Sequence, residues 1–209
     1  MARNNTKRPP KKVTSIIVDG HSEAWYFQLM KQNEKLSIDI KPDIPQRKSL
    51  VDQYHAVIEN ALHYDSVIWV VDFDVIQKEE RERKKGQLSP LEAFRNYKEK
   101  LTRYNNVVVL VNNACFELWL LLHFEYTSKN FKDCQEVEKA LKQYLPKYTK
   151  TEKFYKQVNN DLYKQLMKKQ PDAIENAKKL GEFDINNPYD AKAEIYQMIE
   201  ALLKNAPTT

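Results

Sequence analysis

Val67-Ile-Trp-Val-Val-Asp72-Phe-Asp74 runs five apolar residues straight into two carboxylates one residue apart. A continuous apolar run of this length, rich in β-branched and aromatic residues, reads as a strand buried on both faces, as in a parallel sheet. It ends on acids, not on a turn of Gly or Asn. Burying carboxylates at the end of a core strand is unfavourable unless something positive meets them, and a divalent metal is the simplest such partner.

The rest of the chain supplies the sheet that strand needs. Thr14–Asp19 reads as a first strand, and Gly20-His21-Ser22-Glu23 turns it into a helix. Ser22 is the expected N-cap, with Glu23 in the first turn, where the helix dipole favours an anion. That helix runs to about Glu34. Leu36–Ile40 alternates like an edge strand, Pro42 and Pro45 mark a loop, and 49–62 has the spacing of a second helix. After the opening strand comes a charged run, 77–86, expected as an exposed helix or lid. Residues 90–104 read as a helix and 106–111 as a fourth buried strand. The order βαβαβαβ predicts an α/β fold with a mostly parallel, four-stranded sheet flanked by helices. Everything after Cys115 reads as helical: 115–124, 133–145, 171–180 and 189–204. The expected division is a basic flexible tail (1–12), an α/β core (13–124) and a helical extension (125–209) packed on the core.

Composition removes several function classes. No apolar run approaches the roughly 20 residues needed to span a bilayer, and no signal peptide is visible. Cys115 and Cys134 suggest neither a disulfide framework nor a zinc pattern, so a reducing cytoplasm is expected. The chain has 34 basic and 29 acidic residues. The excess lies in the first twelve residues, where Arg3, Lys7, Arg8, Lys11 and Lys12 stand without an acid. Such a tail suits phosphate contact in nucleic acid, or is merely solubilising. With three glycines, Gly20, Gly86 and Gly181, no Gly-rich phosphate loop can form.

In open parallel sheets, ligands bind beyond the carboxyl ends of the strands. Asp19 and Glu23 follow strand one, Asp72 and Asp74 strand three, and Asn112, Asn113 and Glu117 strand four. All would reach one rim. Oxygen ligands of this kind suit magnesium or manganese, which can activate water and neutralise a phosphodiester's charge. On a strand, Asp72 and Asp74 would point to the same side. Each acid also has a plainer reading. Glu23 could serve only the helix dipole, and Asn112 and Asn113 could cap the next helix. Glu117 is the one acid inside Cys115-Phe-Glu-Leu-Trp-Leu-Leu-Leu-His-Phe124, which is hard to explain structurally. His123 sits about 120° around the helix from Glu117, so it reads as a hydrogen-bonded or rim histidine before a ligand. His21 is a weaker candidate beside Glu23.

These residues resemble a known family. Gly20-His-Ser-Glu23 and Asp72-Phe-Asp74 are similar to the Toprim pattern of one glutamate after the first strand and Asp-X-Asp after the third. Asn112-Asn113-Ala-Cys115-Phe-Glu117-Leu-Trp119-Leu-Leu-Leu-His123-Phe124, with the late Asn187-Pro188, resembles the signature of RloB-like proteins. The family pattern has Thr-Glu where Ser22-Glu23 stands, Asn-Pro-Cys where Asn113-Ala-Cys115 stands, and a small hydroxyl residue where Tyr189 follows Pro188. None of these departures removes an acid. The resemblance implies a Toprim-like core and a nuclease dependent on Mg2+ or Mn2+, in an antiphage, abortive-infection system that works with an ATPase of the ABC or OLD-like kind. It implies catalytic roles for Glu23, Asp72, Asp74 and Glu117, with the metal on Glu23, Asp72 and Asp74. Asn113, His21 and His123 would be accessory. The substrate would be DNA or RNA, tRNA among the candidates.

Two other readings remain open at this level. Val71-Asp72-Phe-Asp74-Val75 also matches the haloacid-dehalogenase phosphatase motif, although that motif should open the domain on the first strand. The chain could instead be a non-catalytic nucleic-acid-binding or regulatory subunit, with the Lys- and Tyr-rich 139–169 region as its surface. Packing is the simpler use of those tyrosines.

Overall fold

The computed structural model describes residues 13–41 and 49–204. In chain order the elements are β1 (Thr14–Ile17), α1 (His21–Asn33), β2 (Ile38–Lys41), α2 (Leu50–Ala61), β3 (Ser66–Asp72), α3 (Phe73–Glu82), α4 (Pro90–Leu101) and β4 (Val107–Asn113). They continue as α5 (Glu117–Leu122), α6 (Cys134–Leu141), α7 (Glu152–Tyr155), α8 (Leu162–Leu166), α9 (Gln170–Leu180), β5 (Lys192–Ala193) and α10 (Ile195–Lys204).

The sheet order is β2-β1-β3-β4-β5, with the first four strands parallel. The expected four-stranded sheet therefore has a fifth strand among the described residues. β5 pairs antiparallel with β4, Asn112 opposite Ala193 and Asn113 opposite Lys192, so the chain after Cys115 is not wholly helical. Two residues carry no readable strand pattern, and a side chain completes the edge. Glu194 is buried, and its carboxylate accepts the Val111 N–H at 2.8 Å and the Phe183 N–H at 2.7 Å. The 189–204 segment, expected as one helix, turns helical only at Ile195.

Alternation along the strands divides the core between two layers. Ile16, Ile68, Val70 and Leu110 pack with α1, α5, α6, α8, α9 and α10. Ile17, Val67, Trp69, Val71 and Val111 pack with α2, α3 and α4. The helices of 125–209 share the first layer's apolar cluster with the strands. In this strand order, the crevice of a doubly wound sheet opens where the helices change face, between β1 and β3.

Candidate active site

Strand alternation decides which acids can meet. Asp72 continues the Ile68–Val70 row and faces the layer of α1 and α5. Its neighbour on the same rung, Asn112, continues the Leu110 row to the same side. Asp19 follows Ile17 to the opposite layer, where Gln53 Nε2 donates to it at 3.1 Å. Asp74 is not a strand residue. β3 ends at Asp72, which is the N-cap of α3, and Asp74 lies in that helix's first turn. The Asp-X-Asp pair thus spans a strand-to-helix junction, and its two carboxylates are aimed by different elements.

Glu23 reaches the site from the first turn of α1. The N-cap there is Gly20, not Ser22, and no side chain caps the helix. Ser22 is buried and hydrogen-bonds the Tyr155 hydroxyl instead. Glu23 folds back over Gly20 so closely that a Cβ at position 20 would collide with Glu23 Oε2. Glu117 enters from the N-terminus of α5 and is buried.

Carboxylates from three helices, those of Glu23, Asp74 and Glu117, therefore lie near enough for their charges to act on Asp72 at the strand end, in a desolvated space. Burial pushes Glu23 up from its ordinary 4.5 to about 7, and the charges of Glu117 and Asp19 add to it. Asp72 is pushed well above the usual range by burial and then by Glu23, Asp74 and Glu117, against one N–H from Phe116. Burial also raises Asp74, although the N–H groups of Cys134 and Val75 and the Lys150 charge oppose it. Among the described residues, Asp72 Oδ1 and both polar atoms of the Asn112 side chain are buried without a hydrogen-bond partner. A cleft of about 30 Å3, lined by Asp19, Gln53, Asp72 and Glu79 among others, opens beside them.

Glu117 is satisfied differently. Tyr148 donates to its Oε1 at 2.7 Å, and Lys150 Nζ lies 3.1 Å from the same oxygen. A phenol has one proton, so Tyr155 must donate to Tyr148 across their 2.9 Å contact. Ser22 then feeds Tyr155, and a chain of donors joins α1 to Glu117. Burial pushes both phenols up, so they stay protonated. For Lys150, burial pulls the ammonium down, but Glu117 and Glu138 outweigh it and hold it above its ordinary value. Tyr148, Lys150 and Tyr155 had no recognisable pattern in the sequence. The one signal was the density of Lys and Tyr in 139–169, and it did not say which side chains turn inward.

Cys115 and Cys134 are bonded to each other, where unpaired thiols were expected. Their sequence separation of 19 carries no hint of this. The contact arises because α6 packs across α5 and brings its first residue over Cys115. Glu117 Oε2 lies 3.1 and 2.9 Å from the two sulfurs. One donor atom from each of Cys115, Glu117 and Cys134 falls within 4.8 Å of the others, close enough for a metal. Bonded sulfurs are not thiolates, however, so the donors left for a cation here are carboxylate oxygens, which suit a hard ion.

The accessory candidates take different places. Asn113 is buried and donates to the carbonyls of Pro188 and Asp190 at 3.0 and 2.7 Å, holding the Asn187-Pro188 segment against β4. Its peptide to Ala114 is cis. His21 is exposed and stacks on Trp25. His123 lies at the far end of α5, with Nδ1 2.9 Å from the Trp119 carbonyl, and burial holds it down to about 4. Arg3, Lys7, Arg8, Lys11 and Lys12 lie outside the described residues.

With the core strand, the buried acids and α5 in place, the comparison with known families is decisive. The chain belongs to the RloB-like protein family. The family's model, described as RloB-like protein, matches residues 15–202, which takes in every residue of the acid cluster and the Asn187-Pro188 segment. No curated protein and no solved structure gave a match. Among the described residues, no helix of this RloB-like chain is long and apolar enough to cross a membrane.

Proposed function

We propose that this RloB-like chain is a metal-dependent nuclease with a Toprim-type arrangement of acids, and that it acts as the effector of an antiphage system beside an ATPase. The observation that supports the reading is the division among the four carboxylates. Glu117 already has a cation in Lys150, whereas Asp72 feels the charges of Glu23 and Asp74 and has its buried Oδ1 unpartnered. Leaving such a group buried is unfavourable by about 1–3 kcal/mol, and more when charged.

Glu23, Asp72 and Asp74 would hold Mg2+ or Mn2+. Bound there, the ion would neutralise charge on a phosphodiester and lower the pKa of a water. Without an ion, burial raises Glu23 to about 7; as a ligand it would be ionised, so metal binding there would release its proton. Asp74, braced by two backbone N–H groups, keeps one orientation. Tyr148 and Lys150 hold Glu117 in place and keep its charge from adding fully to the cluster.

The decisive experiment uses purified protein with labelled DNA and RNA, tRNA included, with Mg2+ or Mn2+, with and without the ATPase encoded beside it. Cleavage that disappears in Asp72→Asn and Glu23→Gln is expected. In EDTA, Asp72→Asn should melt higher than wild type, because the burial and neighbouring carboxylates that disfavour an ionised Asp72 do not act on an amide, and it should lose the Mn2+-induced rise in Tm. An unchanged metal response in Asp72→Asn would refute the assignment.

A further inference from the structure

The one cation in contact with the acid cluster among the described residues comes from the stretch between α6 and α8. Residues 146–158 form a strap whose side chains divide inward and outward. Tyr148 and Tyr155 are buried under it, and Lys150 reaches in to Glu117. Its outer side bounds a groove of about 490 Å3, lined by Lys147, Lys153, Lys156, Phe154, Thr149 and Val158, among others. Lys156 is tied to Glu152 at 2.8 Å. Lys147 and Lys153 are exposed and have no ion pair among the described residues.

The donors of Lys150 are unevenly used. An ammonium has three protons. Glu117 and Glu138 each take one at 3.1 Å. The third nearest atom is the Cys134 sulfur at 3.3 Å, a weak acceptor. The side chain is 43% exposed, so this proton can pass to a stronger acceptor arriving from solvent without breaking either ion pair. A phosphate oxygen is such an acceptor, and charge-assisted bonds to it are about twice as strong as neutral ones. The groove adds apolar surface to the lysines: Phe154 is half-buried in it, and Val158 is 87% exposed at its rim. Positive charge combined with apolar and aromatic surface suits unpaired bases on a phosphodiester chain and does not depend on their sequence.

We propose that the 146–158 strap is the phosphate-binding side of this site, built for single-stranded nucleic acid. Lys150 donates to a non-bridging oxygen of the phosphodiester at the acid cluster. Lys147 and Lys153 hold neighbouring phosphates of the same strand. The assignment rests on the nuclease reading, but its test does not require turnover.

Binding of fluorescein-labelled oligonucleotides is measured by anisotropy in Ca2+ across a salt series, using single-stranded DNA, single-stranded RNA and the corresponding duplexes. On single strands, each phosphate contact contributes about 0.7 to the slope of log K against log salt. Lys147→Ala/Lys153→Ala, two exposed changes that leave the core intact, should therefore flatten the slope by about 1.4. Lys150→Gln should flatten it by about 0.7 and slow cleavage roughly 100-fold, the size expected for one lost transition-state donor. Lys150→Arg should restore the slope, which a purely structural brace for Glu117 would not require. An unchanged slope in Lys147→Ala/Lys153→Ala overturns the proposal, as does tighter binding of duplex than of single strands, or no oligonucleotide binding at all. Lysine-dependent binding without cleavage in Mg2+ or Mn2+ would leave the strap standing and remove the nuclease reading. The DNA and RNA arms identify which strand the groove takes.

Discussion

Glycine at position 20 is required by what lies above it, not by its own backbone angles. Its φ of −109° is open to any residue, yet the Glu23 carboxylate occupies the space of a Cβ. Gly20→Ala should therefore leave α1 folded and swing Glu23 out of the cluster. Cleavage should fall as far as in Glu23→Gln while Tm changes little, a pair of readings that circular dichroism and a nuclease assay would check together. Glu23 itself was legible in the sequence as an acid in a helix's first turn. Its near-neutral pKa was not, because that value comes first from burial under the rest of the fold and then from Glu117, distant in sequence and close in space.

At the level of elements, the short β5 is held by a side chain as much as by its own ladder. Glu194→Ala would strip two buried backbone N–H groups, those of Val111 and Phe183, of their acceptor. The expected loss is about 1–3 kcal/mol for each, read as a lower midpoint in urea unfolding, whereas Glu194→Gln, with one acceptor oxygen left, should lose less. The Cys115–Cys134 bond staples α5 to α6 directly beside Glu117 and the Cys134 N–H that steadies Asp74. Reducing it should lower stability by about 3 kcal/mol on loop length alone. Thiol titration of the unfolded chain should find no free thiol before reduction and two after. The parallel strands were readable because their apolar runs are long. β5 was not, since two residues cannot show a period, and the cysteine pairing was not, since it depends on how α6 crosses α5.

Across the whole molecule, pH acts through groups with opposed signs. Glu23 has a folded-state pKa of about 7 against an ordinary 4.5. Its contribution to stability is complete below 4.5 and is lost as pH rises through 7. Asp72 acts in the same direction. His123, held at about 4 against 6.5, contributes above 6.5 and loses that contribution as pH falls toward 4. In EDTA the two effects oppose each other in weak acid, so the Tm of wild type alone would hide them. The difference between wild type and Glu23→Gln isolates the carboxylate: the variant should gain on wild type steadily from pH 4.5 to pH 7. A constant difference over that range would contradict the raised Glu23 pKa.

By itself, the sequence determined the alternating α/β order, the buried third strand with acids at its end, and the family signature around Cys115–Phe124. These depend on local periodicity and on the cost of burying charge, which neighbouring residues already express. Tertiary structure alone decided which carboxylates share a face, that Asp74 belongs to a helix and Asp19 to the other layer, and that Lys150, Tyr148 and Tyr155 close over Glu117. The reason is geometric. A strand's alternation is fixed locally, but the side of the sheet that each helix covers, and the side chains a strap turns inward, follow from packing between residues far apart in the chain.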